Sequence, residues 1–190
     1  YVHDVAVKSN IRVKTGDDTN SYIPRIKWEP SGANLAVFYL NRRQNELSVL
    51  YANPFSGDTR RIHHEKNNRF IDESFFDFFI YLSDNQHFVT ISEADGWAHL
   101  YLYKNTGIKV KQLTKGNFDV TDFYGYDAQK KIFYYQAAKQ SPLQREVYAL
   151  SFDGKKDIKL SEKDGTNKAV FSKNFSTFIN FHSNSKLPLN

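Results

Sequence analysis

The sequence predicts an all-β fold built from repeated four-stranded antiparallel units, and three observations carry that prediction. A fixed grammar of turn, β-rich run, polar loop, second β-rich run and Gly turn occurs three times. The Gly turns at Gly57, Gly107 and Gly154 lie 50 and 47 residues apart. A repeat of about 45 to 50 residues marks the blades of a β-propeller. Helical periodicity is weak, whereas 12 Tyr and 16 Phe supply the side chains that suit pleated, half-buried surfaces.

The elements follow in order. Val5-Ala6-Val7, Asn10-Ile11-Arg12-Val13 and the turn Thr15-Gly16-Asp17 read as the tail of a preceding blade. The first whole repeat has the turn Ser31-Gly32-Ala33-Asn34, a strand over 35–40, a polar loop over 41–46, a strand over 47–51 and the turn Ser56-Gly57-Asp58. The second has strands over 87–91 and 100–103, joined by a loop over 92–98 and closed by Asn105-Thr106-Gly107. The third has strands over 132–135 and 147–150, closed by Asp153-Gly154-Lys155. Residues 169–174 and 177–181 read as the head of a further blade. The expected blades run approximately over 20–65, 75–116 and 119–162, flanked by partial blades 1–19 and 166–190, all in one domain spanning 1–190. A propeller closes with about four to eight blades, so this set predicts an arc belonging to a larger protein. The absence of Met agrees with that expectation.

Composition narrows the class further. An apolar fraction of 40% is ample for sheet cores and excludes a disordered chain. The net charge of +5 raises the question of nucleic acid. Its Lys and Arg residues are scattered through turns, as in Lys130-Lys131 and Lys155-Lys156, which fits solvated loops and protected strand edges and not a nucleic-acid face. With zero Cys there is no disulfide and no thiolate metal site. No segment approaches the roughly 20 apolar residues of a membrane-spanning helix.

Three residue clusters invite chemistry and have plainer readings. His63-His64-Glu65 carries zinc-type ligands, but neighbouring strand residues point to opposite faces, so a structural or solvent-facing pair is favoured and no metal is expected. Tyr124-Gly125-Tyr126 and Phe133-Tyr134-Tyr135 have rings that stack sugars or bases; at strand spacing, packing between blades is favoured.

The loops carry identity where the strands carry only pattern. Ile23-Pro24-Arg25-Ile26-Lys27-Trp28, the Arg-rich hairpin Leu40-Asn41-Arg42-Arg43-Gln44-Asn45, and Ser92-Glu93-Ala94-Asp95-Gly96-Trp97-Ala98-His99-Leu100-Tyr101 occur in that order. Leu113-Thr114-Lys115-Gly116 with Val120-Thr121, and then Phe171-Ser172-Lys173-Asn174-Phe175, follow. Together they resemble, over residues 20 to 186, the propeller domain of the dipeptidyl peptidase IV family of prolyl oligopeptidase-type serine peptidases, of bacterial type. Five motifs in the right order are far more specific than any one of them.

That resemblance implies an N-terminal propeller gating and positioning peptide N-termini for a separate α/β-hydrolase domain of the same chain, which holds the Ser, Asp and His of the catalytic triad. It implies no cofactor, a periplasmic or secreted compartment, and a homodimer of the parent as a further partner. The nucleophile-elbow pattern Gly-x-Ser-x-Gly is absent from these 190 residues, so no catalytic residue is assigned here. The family's paired amine-binding glutamates find no match either, since Glu29 stands alone in the first 45 residues. One substrate-binding candidate remains, Arg69, in the extra loop Glu65 to Glu73 where family members send an Arg toward the substrate's backbone carbonyl. The alternative is that Arg69 pairs with Asp72 or Glu73 on a solvated loop. The resemblance likewise makes Gly96 a turn residue and His99 a hydrogen-bonded residue inside its blade. A propeller serving only as a protein-interaction module, with no peptidase activity, is the competing function.

Overall fold

A computed structural model of the chain describes residues 1–16 and 19–187; Asp17 of the expected first turn and residues 188–190 of the expected last partial blade lie outside the described residues. The chain divides into two compact units, one of residues 1–77 with 103–109, the other of residues 78–102 with 110 onward.

The first unit opens with a hairpin of β1 (Val2–Asp4) and β2 (Ser9–Ile11). Val5-Ala6-Val7, expected in a strand, form its turn instead. The Asp4 carboxylate accepts the amides of Ala6 and Val7 at 2.8 and 3.1 Å, and Lys8 takes a φ of 53°, so these backbone groups are claimed locally before a ladder can form. A four-stranded antiparallel meander follows: β3 (Ser21–Trp28), β4 (Leu35–Asn41), β5 (Glu46–Ala52) and β6 (Thr59–Lys66). Pro24 is accommodated because β3 is an edge strand with a bulge between Tyr22 and Arg25, where a missing N–H breaks no ladder. Strand β4 carries the core, with Leu35, Ala36, Val37, Phe38 and Leu40 all buried. A 3-10 helix, Glu73–Phe78, then lays Phe76 against Phe38 at 5.5 Å between ring centres.

The second unit repeats the meander. Its first sheet has β7 (Ile80–Tyr81), β8 (His87–Ser92), β9 (His99–Lys104) and β10 (Lys109–Gln112), with the β9–β10 tip counted in the first unit. Its second has β11 (Val120–Asp127), β12 (Ile132–Ala137), β13 (Glu146–Ser151) and β14 (Asp157–Lys159). A hairpin of β15 (Thr166–Phe171) and β16 (Phe178–Ser183) ends it. Phe79 stacks on Phe88 at 4.2 Å. Tyr134 packs on Phe171 and Phe175 at 4.6 and 5.1 Å, and Tyr124 on Phe171 at 5.5 Å. These rings join the β11–β14 sheet to the terminal hairpin and are packing residues. The all-β class, with three four-stranded antiparallel blades and a two-stranded piece toward each end, is the one the repeat predicts.

Candidate functional site

The loop between β6 and the 3-10 helix is held at three points by the β4–β5 hairpin. Asn67 N–H donates to the Asn45 carbonyl at 2.9 Å, and Ile71 N–H to the Gln44 carbonyl at 2.6 Å. Farther along, Gln44 Nε2 donates to Glu73 Oε1 at 2.8 Å and to the Tyr22 hydroxyl at 2.7 Å, while Tyr22 donates to the same Glu73 oxygen at 2.6 Å. Burial, followed by the hydrogen bond to Glu73, raises the Tyr22 phenol above its ordinary range. The helix that follows is tied by Arg25, whose Nε reaches Asp77 Oδ1 at 3.0 Å, and by Lys27, whose Nζ reaches the Asp77 carbonyl at 2.9 Å. The Arg25 hydrogen bond holds the Asp77 carboxyl below its usual range.

Arg69 sits between the first two anchor points. Its N–H donates to Asn67 Oδ1 at 2.9 Å, an Asx turn, and its side chain is exposed. The two carboxylates of the alternative reading bond other groups through one oxygen each. Asp72 Oδ1 accepts Ser74 N–H at 2.8 Å, and Glu73 Oε1 accepts Tyr22 and Gln44. Among the described residues no hydrogen bond or ion pair reaches the Arg69 guanidinium. The alternative salt bridge to Asp72 or Glu73 is not formed in this arrangement. An Arg left without a carboxylate keeps its planar fork of donors for an external acceptor.

The other candidates resolve into structure. His63 is buried, 3.6 Å from Glu65 and edge-on to Tyr103, whereas His64 faces the other way onto Glu46 at 3.1 Å. His99 is wholly buried between Thr114 Oγ1 at 2.9 Å and the Gly116 carbonyl at 3.0 Å. A carbonyl can only accept, so Nε2 carries the hydrogen. The Thr114 hydroxyl accepts the Leu100 amide at 3.0 Å and donates to Nδ1, which closes the network. Gly96, with a φ of 98°, makes the turn before it. The Tyr22–Gln44–Glu73 triangle was not singled out from sequence. Its only signal was the Gln44-Asn45 pair of the Arg-rich hairpin, which carries no information about partners 22 and 29 residues away.

Comparison with known proteins bears on this geometry. The sequence model of the dipeptidyl peptidase IV (DPP IV) N-terminal region matches residues 1–189. This chain belongs to that family. It is 37% identical to Porphyromonas gingivalis dipeptidyl peptidase 4 in a crystal structure, with a TM-score of 0.92 over 98% of this chain and 26% of that one. It is 30% identical over 151 residues to dipeptidyl peptidase 4 of Arthroderma otae, and 28% identical over 151 residues to that of Trichophyton rubrum, covering 78% of this chain in each case. The chain spans about a fifth of the length of these curated relatives.

Proposed function

We propose that this chain is the non-catalytic propeller portion of a serine dipeptidyl peptidase, gating and positioning peptide N-termini for a separate α/β-hydrolase domain. Arg69 supplies a charge-assisted hydrogen bond to a substrate backbone carbonyl. The observation that carries this reading is the unpaired Arg69 guanidinium on a loop anchored on either side of it. Family membership supports the reaction class. Acyl transfer, in which a His-activated Ser attacks and an oxyanion hole receives the developing charge, belongs to the hydrolase domain. The propeller contributes orientation, which removes part of the entropic barrier without any chemistry of its own. We place the whole enzyme in the periplasm or outside the cell, a compartment supported by the family resemblance and testable by cell fractionation.

The test is Arg69→Ala in the full-length protein, assayed with a Gly-Pro chromogenic dipeptide. Loss of a charge-assisted hydrogen bond is worth about 1.5 to 3 kcal/mol, so kcat/KM is expected to fall roughly tenfold to a hundredfold, mainly through KM. Unchanged kinetics in a normally folded variant would return Arg69 to the solvated surface and overturn its assignment.

A further inference from the structure

We infer that Gln44 is a positioning residue for the peptidase reaction, aiming Arg69 from the neighbouring hairpin; this rests on the substrate role proposed for Arg69. Gln44 is joined to the Arg69 loop through backbone and side chain together. Its carbonyl takes the Ile71 amide two residues after Arg69, and its carboxamide takes Glu73 four residues after it. Both side-chain contacts of the carboxamide are to acceptors, the Glu73 carboxylate and the Tyr22 hydroxyl oxygen. Only the NH2 group satisfies them, so the amide orientation is fixed and a flipped Gln would set its oxygen against the carboxylate. Glu73 Oε1 in turn accepts both Tyr22 and Gln44, which ties the start of the 3-10 helix to the hairpin. Gln44 therefore restrains the loop on both sides of Ile71, through its own carbonyl and through Glu73.

The backbone of Gln44 shares its conformation with Lys8, Asn85, Lys131 and Phe175 in the turns of other hairpins. Its φ of 55° lies in the left-handed region, which ordinary side chains avoid. Asn or Gly would fit that conformation better, yet neither has a carboxamide long enough to span from the hairpin to Glu73.

The experiment is a mutant cycle in the full-length protein. Gln44→Gly removes the side chain while suiting the left-handed backbone, so the fold is spared. It should raise KM for the Gly-Pro chromogenic dipeptide roughly threefold to tenfold with kcat within about twofold, because orientation weakens while the hydrolase is untouched. Combined with Arg69→Ala it should add nothing further, since Gln44 acts only through Arg69. Glu73→Gln, which keeps an acceptor oxygen for Tyr22 and Gln44, should retain most of the wild-type KM, whereas Glu73→Ala should match Gln44→Gly. Hydrogen exchange supplies a readout independent of turnover: amides of 67–73 should exchange faster in Gln44→Gly while those of β4 and β5 keep their wild-type rates. An unaltered KM in Gln44→Gly alongside a raised KM in Arg69→Ala would overturn the positioning role and leave the Arg69 reading standing. Multiplying effects in the double variant, or unaltered exchange over 67–73, would overturn it as well. An unaltered KM in Arg69→Ala would remove the Arg69 reading and this inference together.

Discussion

At the scale of single residues, similar-looking side chains part company according to what encloses them. His99 satisfies both ring nitrogens inside its blade and leaves neither for chemistry. His99→Ala strands the Thr114 hydroxyl and the Gly116 carbonyl and opens a cavity; the expected loss is about 2 to 4 kcal/mol, read as an earlier thermal transition of the full-length protein. A transition at the wild-type temperature would show the network to be dispensable. Asp122 behaves in the opposite way to the paired carboxylates. Burial raises its folded-state pKa, despite help from the Phe123 amide and Lys168, so its contribution is fully present below the ordinary aspartate range and is lost as pH rises through the raised value. Asp122→Asn should therefore match the wild-type melting temperature at about pH 3 and exceed it at neutral pH. An Asn variant that melts below wild type at neutral pH would contradict this.

At the scale of elements, the strands were legible because each is a short apolar run bounded by Gly, Asn or Asp turns, and those turns fix where the chain reverses. Val5-Ala6-Val7 misled because composition cannot report that Asp4 captures the amides. The Gly turns show a second limit. All three were legible as turns, with φ of 73°, 98° and 79° at Gly57, Gly107 and Gly154, but their surroundings differ. A Cβ on Gly107 would lie 2.5 Å from the Ile62 carbonyl oxygen, and one on Gly57 2.1 Å from that of Arg12, whereas one on Gly154 would meet nothing within 4 Å. Gly154→Ala should thus cost only the left-handed backbone penalty, roughly 1 to 2 kcal/mol. Gly107→Ala should exceed it clearly, since backbone must also move. Comparing the two melting temperatures in one background tests whether the close approach or the dihedral dominates; equal losses would favour the dihedral.

At the scale of the whole molecule, family and fold were legible because five loop motifs recur in order, each fixed by turn geometry and local polar contacts. The candidate site was legible only as one residue, Arg69. Its clamp joins positions 22, 44 and 73 through tertiary hydrogen bonds spanning up to 51 residues, which no local pattern encodes. The proposed division of labour makes binding and bond cleavage separable. These 190 residues carry no Gly-x-Ser-x-Gly motif; His63 Nε2 faces Glu65, His87 Nδ1 faces Asp84, and both ring nitrogens of His99 are taken by Thr114 and Gly116. In the full-length protein, replacing the nucleophilic Ser of the proposed hydrolase domain by Ala should abolish turnover while a Gly-Pro-initiated peptide still binds. Arg69→Ala introduced into that inactive background should weaken binding by roughly tenfold or more, because the charge-assisted contact forms in the ground state and needs no acyl chemistry. Isothermal calorimetry reads the difference directly. Equal affinity of the two inactive proteins would mean that the propeller contributes no contact through Arg69, even if the parent proves to be a peptidase.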